Sequence, residues 1–321
     1  MNYKPIIIVA GEPNSIFLEI FFKSLKQYKC KSPLIIIVSQ KLLEGQMKKL
    51  RFNFKINCID KDFNKFNELD NKKINLINVN YEFERCFEKI SDKSNNYIKK
   101  TFEIALEILD KNKFSKLING PISKKHFLKG KSLGITEYLA KKTKKENKVV
   151  MLIYNKKLSV SPITTHLALK NVHNHISKQK IYTHVELITE FYKKNFNKKP
   201  KIAITGLNPH CESNFNKCEE DLIIKPAIKN LKSKNFTIKG PFSADTIFME
   251  ENLKNFDVIV GMYHDQVLSP AKTLFGFDAI NITLGLPFIR ISPDHGPNTK
   301  MLGKNTSNPK SLIEALKFLN K

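Results

Sequence analysis

Tryptophan is absent from this 321-residue chain, arginine occurs only as Arg51, Arg85 and Arg290, and the five cysteines form no CxxC pair. Each scarcity excludes something. Cys30, Cys58, Cys86, Cys211 and Cys218 are odd in number and widely spaced, which argues against a disulfide framework or a thiolate zinc site and fits a reducing cytoplasm. No apolar run approaches the roughly 18 residues that a membrane span needs, so a soluble protein without a membrane partner is expected. The opening MNYKPIIIVAG is interrupted by Gly11 and Glu12 too early for a signal-peptide core and reads as a first strand. There is no GxGxxG, GxxxxGK[ST] or GxSxG string, which leaves a dinucleotide fingerprint, a P-loop and a nucleophile elbow unsupported.

Acidic residues are also few: 30 against 55 basic ones, a formal charge of +25. Clustered cations on this scale would indicate a nucleic-acid surface. Here the lysines are spread over the whole length, and the densest stretch, 141 to 148, is broken by Glu146 and Asn147. A solvated surface is the better reading, with no nucleic-acid partner. Lysine has replaced arginine wherever either serves, so a retained Arg290 suggests a place that needs planar, bidentate recognition of carboxylate or phosphate.

Short Ile- and Val-rich runs alternate with longer segments of helical period, the pattern of an α/β chain with largely parallel strands. Strands are expected at 5–10, 34–38, 74–79, 116–119, 149–153, 158–163, 201–205, 257–260, 279–282 and 288–291. Helices are expected at 15–28, 94–111, 134–143, 176–196, 219–234 and 309–320. The absence of repeats, Gly/Ser linkers and low-complexity tails points to domains joined by crossing strands: 1–125 with 270–321, and 126–269.

Three histidines follow apolar strand-like runs: His166 in SPITTHLAL, His210 in ITGLNPHCE and His264 in VIVGMYHDQ. Loops beyond the carboxyl ends of strands form the ligand crevice of open α/β sheets, and three imidazoles would leave open positions on a metal. Spacings of 44 and 54 residues are no local metal signature, so pattern alone leaves unrelated loop histidines open. His126, His173, His175 and His184 read as surface residues, and His295 either reaches the same crevice or makes its turn. Asp245 and Asp265 could orient an imidazole or accept a proton, though Asp245 serves equally as a helix cap. Lys272 could supply positive charge to the crevice, and Asn281 with Arg290, from consecutive strands, suggests an anion clamp.

Several strings together resemble one family: NGPISK at 119–124, GITEYLA at 134–140, TTHLAL at 164–169, GLNPH at 206–210, GPFSADTIF at 240–248, GMYHDQ at 261–266 and NITLGLPFIRISPDHG at 281–296. Their order and spacing are similar to those of the 4-hydroxythreonine-4-phosphate dehydrogenases of pyridoxal phosphate biosynthesis, over essentially the whole chain. The resemblance implies two α/β/α domains flanking a cleft, of isocitrate and isopropylmalate dehydrogenase type. It implies a homodimer whose active site takes residues from both subunits, with the His264 loop across the boundary from the other two ligands. Zinc, magnesium or cobalt would sit on His166, His210 and His264, and a small phosphorylated substrate on Thr136, Lys272, Asn281 and Arg290. Lys272, Asp245 or Asp265 would handle the proton, and NAD or NADP would take the hydride.

Two departures from the family pattern bear on substrate. The usual GDPxGIGPE reads GEPNSIFLE at 11–19, with bulkier side chains, and GHTE reads Gly134, Ile135, Thr136, Glu137, so that a histidine expected at the substrate phosphate is aliphatic. The segment after His210, CESNFNKCEED, also lacks the family's glycines. The alternatives left by these changes are a dehydrogenase of a related acid, 4-phosphothreonate or phosphoerythronate, and a catalytically impaired binding homologue.

Overall fold

The computed structural model describes residues 3–62, 68–128, 134–212, 217–276, 278–293 and 295–320, so 213–216 of CESNFNKCEED and position 294 of the last motif lie outside the described residues. The strands are β1 (Ile6–Val9), β2 (Leu34–Val38), β3 (Ile56–Cys58), β4 (Ile74–Asn78), β5 (Lys116–Asn119), β6 (Val150–Tyr154), β7 (Ser159–Thr164), β8 (Ile202–Thr205), β9 (Ile238–Phe242), β10 (Val258–Tyr263), β11 (Ile280–Leu284) and β12 (Ile289–Pro293). The α-helices are α1 (Phe17–Gln27), α2 (Gln40–Lys49), α3 (Asn95–Lys111), α4 (Ile135–Lys142), α5 (Lys178–Phe196), α6 (Lys225–Ser233), α7 (Glu250–Leu253), α8 (His264–Phe275) and α9 (Lys310–Leu319). The chain divides into two compact units, Met1–Tyr138 with Pro287–Lys321, and Leu139–Leu286.

In the first unit the strands lie in the order β3-β4-β2-β1-β5-β12, each parallel to its neighbours. The run IIIV of β1 is fully buried, as β-branched residues are when helices cover both faces of a parallel sheet. α3 lies against β1 and β2, and α9 against β12 and α1. The altered GEPNSIFLE segment belongs here. Phe17 is fully buried, and its ring fills the space over Gly120, where an added Cβ would come within 2.7 Å of Phe17 Cγ and 2.1 Å of the Ala10 carbonyl. The bulkier side chain is therefore accommodated by a glycine of NGPISK, and its burial contributes about 1.5–3 kcal/mol.

In the second unit the order is β11-β6-β7-β10-β8-β9, parallel from β7 to β9, while β6 runs antiparallel to both β11 and β7. α8 packs on β7 and β10, burying Val267, Leu268 and Ala271 against Val160 and Ile259. No described helix is long and apolar enough to cross a membrane.

His184 corrects an expectation. It is 6% exposed, because the apolar stripe Ile181, Val185, Ile188 of α5 carries it inward. Its Nδ1 lies 2.8 Å from the Lys180 carbonyl and its Nε2 3.2 Å from that of Pro162. Burial pulls its pKa down to about 4 despite these two acceptors. An imidazole kept neutral by the fold favours unfolding once the unfolded chain takes up its proton. Stability is thus intact above about pH 6.5 and falls between there and pH 4, by about 2–3 kcal/mol from this group alone. Urea titrations across that range should show a steeper loss for the wild type than for His184→Gln; equal slopes would contradict the assignment. His173 and His175 are exposed as expected, in a short 3-10 turn before α5 begins.

Candidate active site

Three of the histidines of the second unit, His166, His210 and His264, follow three adjacent parallel strands. β10 lies between β7 and β8, with Tyr263 opposite Thr164 and Val260 opposite Ile204. His166 comes two residues after β7, His264 opens α8 directly after β10, and His210 comes five residues after β8. Two of them hold left-handed backbone, His166 with φ 44° and His210 with φ 56°. Such a conformation costs a side-chain-bearing residue roughly 1–2 kcal/mol and persists only where the surroundings enforce it.

The rings of His166 and His264 have centroids 5.9 Å apart within one chain. His264 Nδ1 is 2.7 Å from Asp265 Oδ1, which leaves Nε2 for a ligand, in the arrangement carboxylates commonly adopt behind metal-binding histidines. Among the described residues no three His, Cys, Asp or Glu side chains stand together closely enough to enclose a metal ion, so His210 is not drawn into the His166–His264 pair. As a donor set, imidazoles suit zinc or cobalt better than magnesium, which prefers oxygen.

The His210 loop is held by a residue that sequence reasoning passed over. Glu220 is fully buried, and its Oε1 accepts from the Leu207 and Asn208 amides at 2.7 and 2.8 Å while Oε2 accepts from Asn208 Nδ2 at 2.8 Å. Burial alone would raise this carboxyl, but the hydrogen bonds prevail and hold it below its usual range. Asp245 is exposed in the turns after β9, near enough to Cys211 to add to the upward push that burial gives that thiol. Nearby, Ser243 Oγ is buried without a partner among the described residues.

Lys272 and Asp265 are seven residues apart on α8, close to two full turns, so they share a face about 10 Å apart along the axis. Asn281 is the second residue of β11, and its Oδ1 is buried without a hydrogen-bond partner among the described residues.

In the first unit, Arg290 of β12 is 1% exposed, the bulkiest of the fully buried side chains. Its Nε donates to Asn119 Oδ1 at 2.6 Å and its Nη1 reaches Thr136 Oγ1 at 3.4 Å. Burial lowers its pKa to about 10, with Glu137 acting the other way, so it is charged at neutral pH. Thr136 lies in the first turn of α4, where the helix dipole also favours negative charge. A guanidinium, a hydroxyl and a helix N-terminus thus coincide, and Ile135 occupies the first position of that helix. Asn119 escaped sequence reasoning because its partner lies 171 residues away.

The family described as pyridoxal phosphate biosynthetic protein PdxA matches residues 29–319. The chain belongs to this family. Of two PdxA relatives, one named 4-hydroxythreonine-4-phosphate dehydrogenase, from Sulfurihydrogenibium sp., is 39% identical over 98% of this chain and 96% of its own. The other, from Oceanobacillus iheyensis and provisionally named D-threonate 4-phosphate dehydrogenase, is 33% identical over 98% and 97%. The crystal structure of the Klebsiella pneumoniae 4-hydroxythreonine-4-phosphate dehydrogenase superposes with a TM-score of 0.83 at 27% identity, covering 98% of both chains. The relatives are named as dehydrogenases, and the chain is accordingly an oxidoreductase of the PdxA family, with the α/β fold of its solved members.

Proposed function

We propose that the chain oxidises 4-phosphohydroxy-L-threonine with NAD or NADP, in the cytoplasm and as a homodimer with a shared active site. The observation that carries this reading is the pairing of His166 with His264 at the ends of β7 and β10, 5.9 Å between ring centroids, within a chain of this family. His166, His210 and His264 would hold a zinc or cobalt ion, a set that the proposed dimer would have to complete, since no three such side chains stand together among the described residues of one chain. That ion, when bound, supplies the Lewis acidity that lowers the pKa of a neighbouring alcohol. Asp265 keeps the His264 ring oriented through Nδ1. Arg290, Thr136 and the amides of α4 bind the substrate phosphate, and Asn281 Oδ1 accepts from the substrate's amine or hydroxyl. Lys272, Asp245 or Asp265 takes the hydroxyl proton as the carbinol C–H leaves as hydride to the nicotinamide. The product, 2-amino-3-oxo-4-phosphooxybutanoate, then breaks its bond to the carboxylate, releasing CO2 and taking up a proton to give 3-amino-2-oxopropyl phosphate.

A second reading, oxidation of 4-phosphothreonate or phosphoerythronate, is favoured by the Oceanobacillus relative and by Ile135. One experiment separates the two: kcat/KM for wild type and Ile135→His on each substrate, at fixed metal and NAD+. A contact to phosphate of about 1.5–3 kcal/mol corresponds to roughly ten- to more than a hundredfold in affinity. Ile135→His is expected to improve KM for the threonine phosphate by a factor at the lower end of that range. A wild type inactive on the threonine phosphate yet active on a threonate or erythronate phosphate would replace the first reading by the second. Inactivity on all of them, with metal bound, would favour a binding homologue.

A further inference from the structure

Glu137, the residue after Thr136, carries a carboxylate oxygen with nothing to accept. The residue is half-buried, but its Oε2 is buried and has no hydrogen-bond partner among the described residues. A helical glutamate commonly pairs with a lysine four residues on, and Lys141 stands at that position. Oε2 does not take it. Glu137 is instead close enough to Arg290 for its charge to act on that guanidinium against the effect of burial. Thr136 Oγ1, one residue earlier, lies 3.4 Å from Arg290 Nη1, and Ile135 on its other side brings neither charge nor a donor. A buried guanidinium therefore stands beside a carboxylate at the place read as the phosphate site.

We infer that Glu137 Oε2 accepts a hydrogen bond from a protonated oxygen of the bound anion, so that the site takes oxyanions able to carry a proton at neutral pH, phosphate and phosphomonoesters, and discriminates against sulfate. This rests on the reading of Arg290 and Thr136 as the phosphate site. Two anionic groups in contact do not both hold full charge; one proton shared between them removes the repulsion and gives the stranded acceptor its donor. A phosphomonoester supplies that proton readily, because its second ionisation lies at about pH 6. Sulfate has none to supply, so it leaves Oε2 unmatched or forces Glu137 itself to take up a proton. Arg290 cannot relieve the conflict by swinging toward Glu137, since its Nε is held by Asn119 Oδ1 at 2.6 Å.

The test is isothermal titration calorimetry of the full-length protein with inorganic phosphate and with sulfate, at neutral pH and matched ionic strength, for wild type, Glu137→Gln and Glu137→Ala. Wild type is expected to bind phosphate at least roughly tenfold more tightly than sulfate, the effect of a buried acceptor left without its donor. Glu137→Gln can turn an N–H toward the anion, so sulfate should gain and the preference should be lost. Glu137→Ala keeps a good helix former in α4 and should lose the preference too, which decides the matter if the first variant folds poorly. The stoichiometric heat must vanish in folded Arg290→Met, or weaken in Thr136→Val should that variant not fold, which ties it to this site and not to surface lysines. A carboxylate that serves only the dipole of α4, as an acidic residue of its first turn, would on substitution change the melting temperature and leave the phosphate-to-sulfate ratio as it was. That result, or equal binding of the two anions by wild type, overturns the inference alone. A wild type without phosphate binding that depends on Arg290 or Thr136 overturns the phosphate-site reading and this inference with it.

Discussion

Removing the imidazole of His264 is expected to lower metal-dependent turnover by roughly 10³-fold or more, because metal-assisted ionisation of an alcohol supplies several kcal/mol of transition-state stabilisation and each 1.4 kcal/mol is about tenfold in rate. His264→Ala suits this test, since alanine is a good helix former at the first position of α8. His166 and His210 call for glycine instead. Both hold left-handed backbone, where glycine sits without penalty and alanine retains the strain, so His166→Gly and His210→Gly remove the ring without confusing a lost ligand with a disturbed loop. Asp265→Asn should do much less. Asp265 is 80% exposed, so its hold on His264 Nδ1 competes with water, and an effect near tenfold on metal affinity is the expectation. Stoichiometric Co2+ uptake and normal turnover by a chain lacking all three imidazoles would refute the assignment.

How much of this could be read from the residues depended on whether a side chain's reason for being there was local. The Ile-rich strands announced themselves because burial on both faces leaves an unbroken apolar run. β3 and β9 did not, since each lies at the end of its unit's strand order and needs little apolar sequence: INC and IKGPF. α2, QKLLEGQMKK, buries only Leu42, Leu43, Gln46 and Met47, and its Gly45 weakens the helical pattern. His184 was readable after all, lying three residues after Ile181 and four before Ile188 on one helix face. The metal-site candidates stood out because each follows a strand end. Glu220 and Asn119 did not. Glu220 grips amides 12 and 13 residues earlier in the same connection after β8, and Asn119 meets Arg290, 171 residues away, only through the strand order β1-β5-β12.

The second large effect is expected at Arg290. Of the three arginines, Arg51 and Arg85 are exposed, and Arg51→Lys or Arg85→Lys should leave activity and stability within error. Arg290 is buried, and its Nε bond to Asn119 fixes the plane of the guanidinium. Lysine in its place keeps the charge but has no Nε and no fork, so it cannot serve Asn119 Oδ1 and a phosphate together. Methionine loses both functions. For Arg290→Met the lost charge-assisted bonds to phosphate amount to about 3 kcal/mol or more, a rise in KM of at least roughly 10²-fold. Arg290→Lys should fall between the two. Stability will fall as well, because Asn119 Oδ1 is stranded in the core, so KM must be compared at a temperature where each variant is shown to be folded. Inorganic phosphate provides the reading that stability cannot imitate. If Arg290 binds the substrate's phosphate, added phosphate should inhibit the wild type competitively and lose that effect in Arg290→Met, whereas a purely structural arginine would leave the inhibition constant unchanged in the folded variant.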